Sequence, residues 1–97
     1  MITLDRIRRI LQENKEVLKK EYKVREIGVF GSYVKGEQKI KSDVDILVDF
    51  YEPISLFRFM HLANFLSDMM GLKVDLVMKN ALKPRLGRRI LSEVVKI

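Results

Sequence analysis

Apolar positions recur every third or fourth residue over residues 3–22, at Leu4, Ile7, Ile10, Leu11, Val17, Leu18 and Tyr22. This spacing predicts one amphipathic helix, with Arg6, Arg8, Arg9, Lys15 and Lys19 largely outside its apolar face. Asp5 near its start and Lys19 and Lys20 near its end suit the helix dipole. The pattern then changes. Residues 26–30 (Glu-Ile-Gly-Val-Phe) predict a short strand running into Gly31 and Ser32. The polar stretch 33–42, with Gly36, Glu37 and three lysines, predicts a brief helical turn and then a loop. Residues 43–50 form the clearest strand, in which Asp43, Asp45, Leu47 and Asp49 share one face. Pro53 breaks the chain before a second helix over about residues 55–70, with Gly71 as the residue that ends it. A third strand follows over residues 72–78, with Asp75 at its centre. Pro84 near a first helical position opens a last helix carrying Leu86, Ile90, Leu91, Val94 and Val95.

The order α-β-turn-β-α-β-α predicts a single α/β (α+β) domain over residues 1–97, a small sheet with helices packed on it. Periodicity alone does not set the strand directions. An apolar fraction of 47% with 33% charged residues is ordinary globular composition. Nineteen basic residues against thirteen acidic leave a net charge of +6, which attracts polyanions such as nucleotide triphosphates, nucleic acid or an acidic protein surface. With no cysteine and His61 as the one histidine, a disulfide framework, a thiol nucleophile and the usual zinc clusters are excluded. No apolar run approaches the roughly 20 residues that span a bilayer. No signal-like segment opens the chain, so a cytoplasmic protein is expected.

Three carboxylates stand out because they sit in the two most apolar strands: Asp43 and Asp45 in one, Asp75 in the other. Aspartate is a poor strand former and costly to bury unpaired. At i and i+2, Asp43 and Asp45 point the same way, about 7 Å apart. Like charges that close call for a cation between them. A hard divalent ion with oxygen ligands answers that need, and Mg²⁺ keeps positions open for water and substrate phosphate. If the Asp75 strand lies beside the Asp45 strand, the three can serve two ions in an in-line displacement at phosphorus. Gly31 and Ser32 end the preceding strand, with Ser32 eleven residues before Asp43. A glycine there lets the backbone approach phosphate, and the amides after it can point at phosphate oxygens. Lys35 is near enough in sequence to reach the same anion. Neither the Walker nor the Rossmann glycine pattern is present.

The segment Gly31-Ser32-Tyr33-Val34-Lys35-Gly36-Glu37, followed by Ser42-Asp43-Val44-Asp45-Ile46-Leu47-Val48, resembles the signature of the polymerase-β-type nucleotidyltransferase superfamily. It is most similar to the stand-alone minimal nucleotidyltransferases (MNT), the antitoxins of HEPN/MNT toxin–antitoxin pairs. The opening helix, Val74-Asp75-Leu76-Val77 and the tail from Leu82 through Glu93 extend the resemblance over nearly the whole chain. The resemblance implies a polymerase-β-like fold and an Mg²⁺-dependent protein adenylyltransferase using ATP. Gly31 and Ser32 would hold the β- and γ-phosphates. Asp43 and Asp45 would bind the nucleotide's metal, Asp45 and Asp75 the second metal, and Asp75 would accept the proton of the acceptor hydroxyl. In the family that acceptor is a tyrosine of the HEPN ribonuclease toxin, which is silenced when AMP is attached. One departure is Lys35, where the family often has arginine: the charge stays but the bidentate fork is lost.

Plainer readings stand beside these. Asp49, before Tyr51-Glu52-Pro53, reads as a solvated turn residue outside the site. His61 reads as structural, and Lys83, Arg85, Arg88 and Arg89 as a solvated basic face. The methionines and phenylalanines of residues 57–70 read as core, with an excess that hints at a partner-binding patch. Rival functions are an antitoxin that works by binding alone, and nucleotidyl transfer to a small-molecule hydroxyl, ranked lower for so short a chain. A nucleic-acid binder ranks lowest, because no aromatics interleave a basic stripe. The sequence leaves self-association or a mixed complex open.

Overall fold

Along β2 (Val44–Phe50) the side chains alternate between two environments: Val44, Ile46 and Val48 are fully buried, while Asp45 and Asp49 are only partly covered. That alternation places β2 at the centre of the fold. In the computed structural model, which describes residues 2–97, β2 pairs with β1 (Val24–Phe30) antiparallel and with β3 (Val74–Met78) parallel. A two-residue strand, β4 (Val95–Lys96), adds antiparallel to β1 and completes a sheet of order β3-β2-β1-β4. The parallel β2–β3 pair needs a crossover connection. Helix α4 (Leu56–Met70) provides it.

Three helices cover one face of the sheet. They are α1 (Leu4–Glu13), α2 (Lys15–Tyr22) and α4, whose Ile7, Leu11, Leu18, Leu62 and Leu66 pack with Val29, Val44, Ile46 and Val48. All nine of these side chains are essentially excluded from water, so this layer carries most of the apolar burial that drives folding. The expected single helix over residues 3–22 is two helices. Asn14 interrupts it, because its side-chain amide donates to the Ile10 carbonyl at 2.8 Å and competes with the helical backbone for that acceptor. The second helix of the sequence reading is borne out at both ends. Ser55 caps α4 by accepting from the Arg58 amide at 3.1 Å, and Gly71 closes it in the left-handed region at φ 68°. Arg58 and His61 then tie α4 to α2: Arg58 donates to the Glu21 carbonyl, and His61 Nδ1 is 2.8 Å from the Tyr22 hydroxyl. His61 is structural, as expected.

The other face of the sheet is only partly covered. Helix α5 (Pro84–Glu93) begins at Pro84, as expected, and follows a short 3₁₀ turn at Lys79–Ala81. It ends at Glu93, and Val95 belongs to β4, so the expected extension of the last helix through Val95 is wrong. The chain turns extended at Val94 (ψ 135°), and backbone pairing with Gly28 and Val29 replaces the last helical turn. Gly28 permits this: a β-carbon there would meet Val94 Cγ2 at 2.6 Å and the Val95 carbonyl oxygen at 3.0 Å. Leu47 lines one crevice with Leu91 and Val94, and Asp45 is only partly covered. Among the described residues no helix is long and apolar enough to cross a membrane.

The Gly28 contact gives a direct test of the C-terminal strand. Gly28→Ala is expected to destabilise the protein by about 1–3 kcal/mol, because the Val95 backbone cannot move aside as a flexible side chain would. Urea unfolding followed by circular dichroism measures it.

Candidate active site

Gly31 follows β1 and sits at φ 76°, ψ −146°, a conformation that only glycine adopts without strain. Space demands glycine as well. A β-carbon at this position would run into the Asp45 carboxylate, lying 3.0 Å from its Cγ. The backbone and the acid are therefore packed directly on each other. From Gly31 the chain enters a single helical turn, α3 (Ser32–Lys35), in which the amides of Val34 and Lys35 both donate to the Gly31 carbonyl at 3.1 Å. The amides of Ser32 and Tyr33 precede those bonds and remain available to an anion. Tyr33 is buried and anchors the turn to the core, and Gly36 ends it in the left-handed region. The loop that follows is closed by Ser42, whose Oγ accepts from the Lys39 amide at 2.7 Å. It delivers Asp43 to the start of β2, one residue before the strand itself begins.

The parallel register of β2 and β3 places Asp45 directly beside Asp75. Neighbouring strands lie about 4.8 Å apart, and paired residues project from the same face. The three aspartates are graded in exposure: Asp43 and Asp45 are partly covered, and Asp75 is at the exposed rim. Burial, then Asp75, then Asp43 push the Asp45 carboxyl above its usual value. All three causes penalise the charged form, and among the described residues no lysine or arginine pairs with any of the three aspartates. A basic protein of charge +6 has thus left its most crowded acids without a cation.

That donor set fits Mg²⁺. Among the described residues no three acidic or imidazole groups are gathered as a ready-made metal cage. Mg²⁺ does not require one, since it keeps several waters and is commonly held by one or two carboxylates plus substrate phosphates. Asp43 with Asp45, and Asp45 with Asp75, are the pairs that would serve two ions.

The remaining sequence candidates fall out as follows. Lys35 ends α3 and its ammonium is 3.5 Å from Glu93 of α5, a contact that the sequence reading missed. The overlooked signal was a carboxylate at the C-terminal end of a helix, where the dipole disfavours it. Asp49 is not a solvated turn residue. It lies within β2, only 15% exposed, and Arg25 of β1 grips one of its oxygens through both Nε and Nη2. Lys83, Arg85, Arg88 and Arg89 are all exposed, in keeping with a solvated face, although Arg89 leans towards Glu93 at 3.7 Å.

The raised Asp45 carboxyl has a consequence for stability. Because the folded state holds this proton more tightly than the unfolded chain does, its contribution is complete below the ordinary value of 3.8 and is lost as pH rises through the raised one. Without divalent cations at neutral pH, Asp45→Asn is therefore expected to melt higher than the parent, with the gap closing in acid. Added Mg²⁺ should raise the parent's melting temperature and leave the variant's almost unmoved. Thermal melts in EDTA and in Mg²⁺ across pH 3–7 measure both effects.

Residues 6–97 match the model of the nucleotidyltransferase domain family. The protein adenylyltransferase MntA of Thermococcus cleftensis is 53% identical over 97 residues, covering 100% of this chain and 98% of the relative. A solved structure assigned as a minimal nucleotidyltransferase superposes with a TM-score of 0.85 at 29% identity, over 99% of this chain and 97% of the other. A toxin–antitoxin structure with AMP-PNP matches at a TM-score of 0.70 and 27% identity, over 93% of this chain and 68% of that one. With the glycine–serine turn packed on an Asp-x-Asp strand and the third aspartate in register beside it, the chain belongs to the nucleotidyltransferase domain family, as one of its minimal enzymes.

Proposed function

We propose that this enzyme transfers AMP from ATP to a hydroxyl of a partner protein, a tyrosine of a HEPN-type ribonuclease toxin, and acts in the cytoplasm as that toxin's antitoxin. The observation that carries this reading is the triple juxtaposition at Asp45, which lies against the Gly31 backbone on one side and beside Asp75 on the other. It puts a turn suited to phosphate and a pair of acids suited to a metal next to an exposed acid. The kinship with MntA supports a protein as acceptor, and the likeness to a toxin–antitoxin structure with AMP-PNP supports both a toxin partner and an adenine nucleotide.

In this reading the free amides after Gly31, the Ser32 hydroxyl and Lys35 hold the β- and γ-phosphates, which fixes the α-phosphorus over Asp43 and Asp45. Mg²⁺ bound there would neutralise charge on the phosphate oxygens and on the leaving pyrophosphate. Asp75, at the rim, faces the incoming hydroxyl and takes its proton. The hydroxyl oxygen bonds to the α-phosphorus, the bond to the β-phosphate bridging oxygen breaks, and pyrophosphate leaves with that electron pair. Exposure of Asp75 suits a macromolecular acceptor, whose hydroxyl must be brought in from outside the chain. The apolar side chains of Leu56, Phe57 and Met60, between 53% and 84% exposed on α4, are in keeping with a protein that spends its life bound to another.

The test is to incubate the protein with Mg²⁺, ATP and the product of the neighbouring gene, and to weigh that partner intact. The partner is expected to gain mass in whole AMP units. Asp43→Asn with Asp45→Asn should lower the rate by about a hundredfold or more, matching the several kcal/mol that metal-borne charge stabilisation supplies. A stable complex with no mass gain would replace this reading with inhibition by binding alone.

A further inference from the structure

Glu93 is the last residue of α5, where the helix carbonyls carry partial negative charge and a carboxylate is disfavoured. It is 27% exposed, and one oxygen, Oε1, lies between two cations: Lys35 Nζ at 3.5 Å and Arg89 Nε at 3.7 Å. Lys35 comes from α3, the turn that opens at Gly31, while Arg89 is one helical turn back on α5 itself. The turn that opens at Gly31 and helix α5 are thus joined through a single carboxylate oxygen. Lys35 is also more constrained than an ordinary surface lysine, with its side chain 32% exposed against 74% for Lys20 and 67% for Lys96.

We propose that Glu93 restrains Lys35 and sets the affinity of the site for the polyphosphate of its nucleotide. This inference rests on the reading of the site as a nucleotide site. In the free protein Lys35 is held by Glu93. When a triphosphate enters, Lys35 transfers to a phosphate oxygen, and Arg89 keeps Glu93 paired so that no half-buried charge is stranded. The exchange also works in reverse. Once pyrophosphate has formed, Glu93 offers the lysine an alternative partner and favours release of the product. A lysine suits such an exchange better than an arginine, because its point charge can pass between partners without the geometric cost of breaking a bidentate fork.

The electrostatics fix the sign of the effect. To turn to a phosphate, Lys35 must give up what its pairing with Glu93 contributes in the free protein, and for a partly exposed ion pair that loss weakens affinity by about two- to fivefold. Binding of Mg²⁺ with the α,β-methylene analogue of ATP, whose α–β bridge the protein cannot cleave, is to be measured by calorimetry for four proteins: parent, Glu93→Gln, Lys35→Met and the double variant. Glu93→Gln is expected to tighten binding by about two- to fivefold, and by less than about 1.5-fold in the Lys35→Met background. Weaker or unchanged binding by Glu93→Gln, or equal tightening without Lys35, overturns the inference. Thermal melting checks that each variant folds. If the glutamine variant does not, Glu93→Ala takes its place with the same expected sign. A parent that does not bind this analogue removes the nucleotide reading and this inference with it, whereas nucleotide binding indifferent to Glu93 removes the inference alone.

Discussion

The packing of the Asp45 carboxylate onto the backbone of Gly31 is the contact around which the rest of the site is arranged. It forces a glycine at the end of β1, because a β-carbon would occupy the space of the acid. The chain leaves β1 at this glycine, at φ 76°, and passes directly into α3. The parallel pairing with β3 then sets Asp75 on the opposite flank of Asp45. The glycine turn, the paired acids and the exposed rim acid all follow from one contact and one strand register.

Such an arrangement works against stability. The carboxylates of Asp75 and Asp43 repel that of Asp45, which is additionally desolvated. The cost is offset on the other face of the sheet, where α1, α2 and α4 close over Val29, Val44, Ile46 and Val48. The two faces of β2 have divided the work: residues 44, 46 and 48 hold the fold, and residues 45 and 49 carry charge. Asp49 shows how the fold treats an acid that it keeps for structure, since Arg25 pairs with it. Among the described residues Asp43, Asp45 and Asp75 have no such partner.

This division was legible in the sequence where a short-range pattern encodes it. Asp43 and Asp45 were visible as an i, i+2 pair in an apolar strand, and Ser55 and Gly71 announced the ends of α4. Glycine at position 31 was read as letting the backbone approach phosphate, whereas the close approach of the Asp45 carboxylate to it depends on how β1 and β2 pair. The features that escaped depend on contacts between distant segments. Val95 continues an apolar helical period, yet pairing with β1 claims it as strand. Asn14 sits within an unbroken amphipathic pattern, and its own side chain breaks the helix. Asp49 looked solvated until β1 brought Arg25 beside it, and Glu93 acquired meaning only when α5 carried it to Lys35.

The most direct test of the central contact is to titrate the protein with Mn²⁺, a paramagnetic stand-in for Mg²⁺, and follow line broadening in the amide NMR spectrum. Broadening is expected first at Gly31, Ser32, Asp43, Val44, Asp45 and Asp75, and the same titration of Asp45→Asn should leave those signals sharp at the concentrations that erase them in the parent. Broadening that begins elsewhere, or that persists unchanged in the variant, would contradict a metal site organised around Asp45.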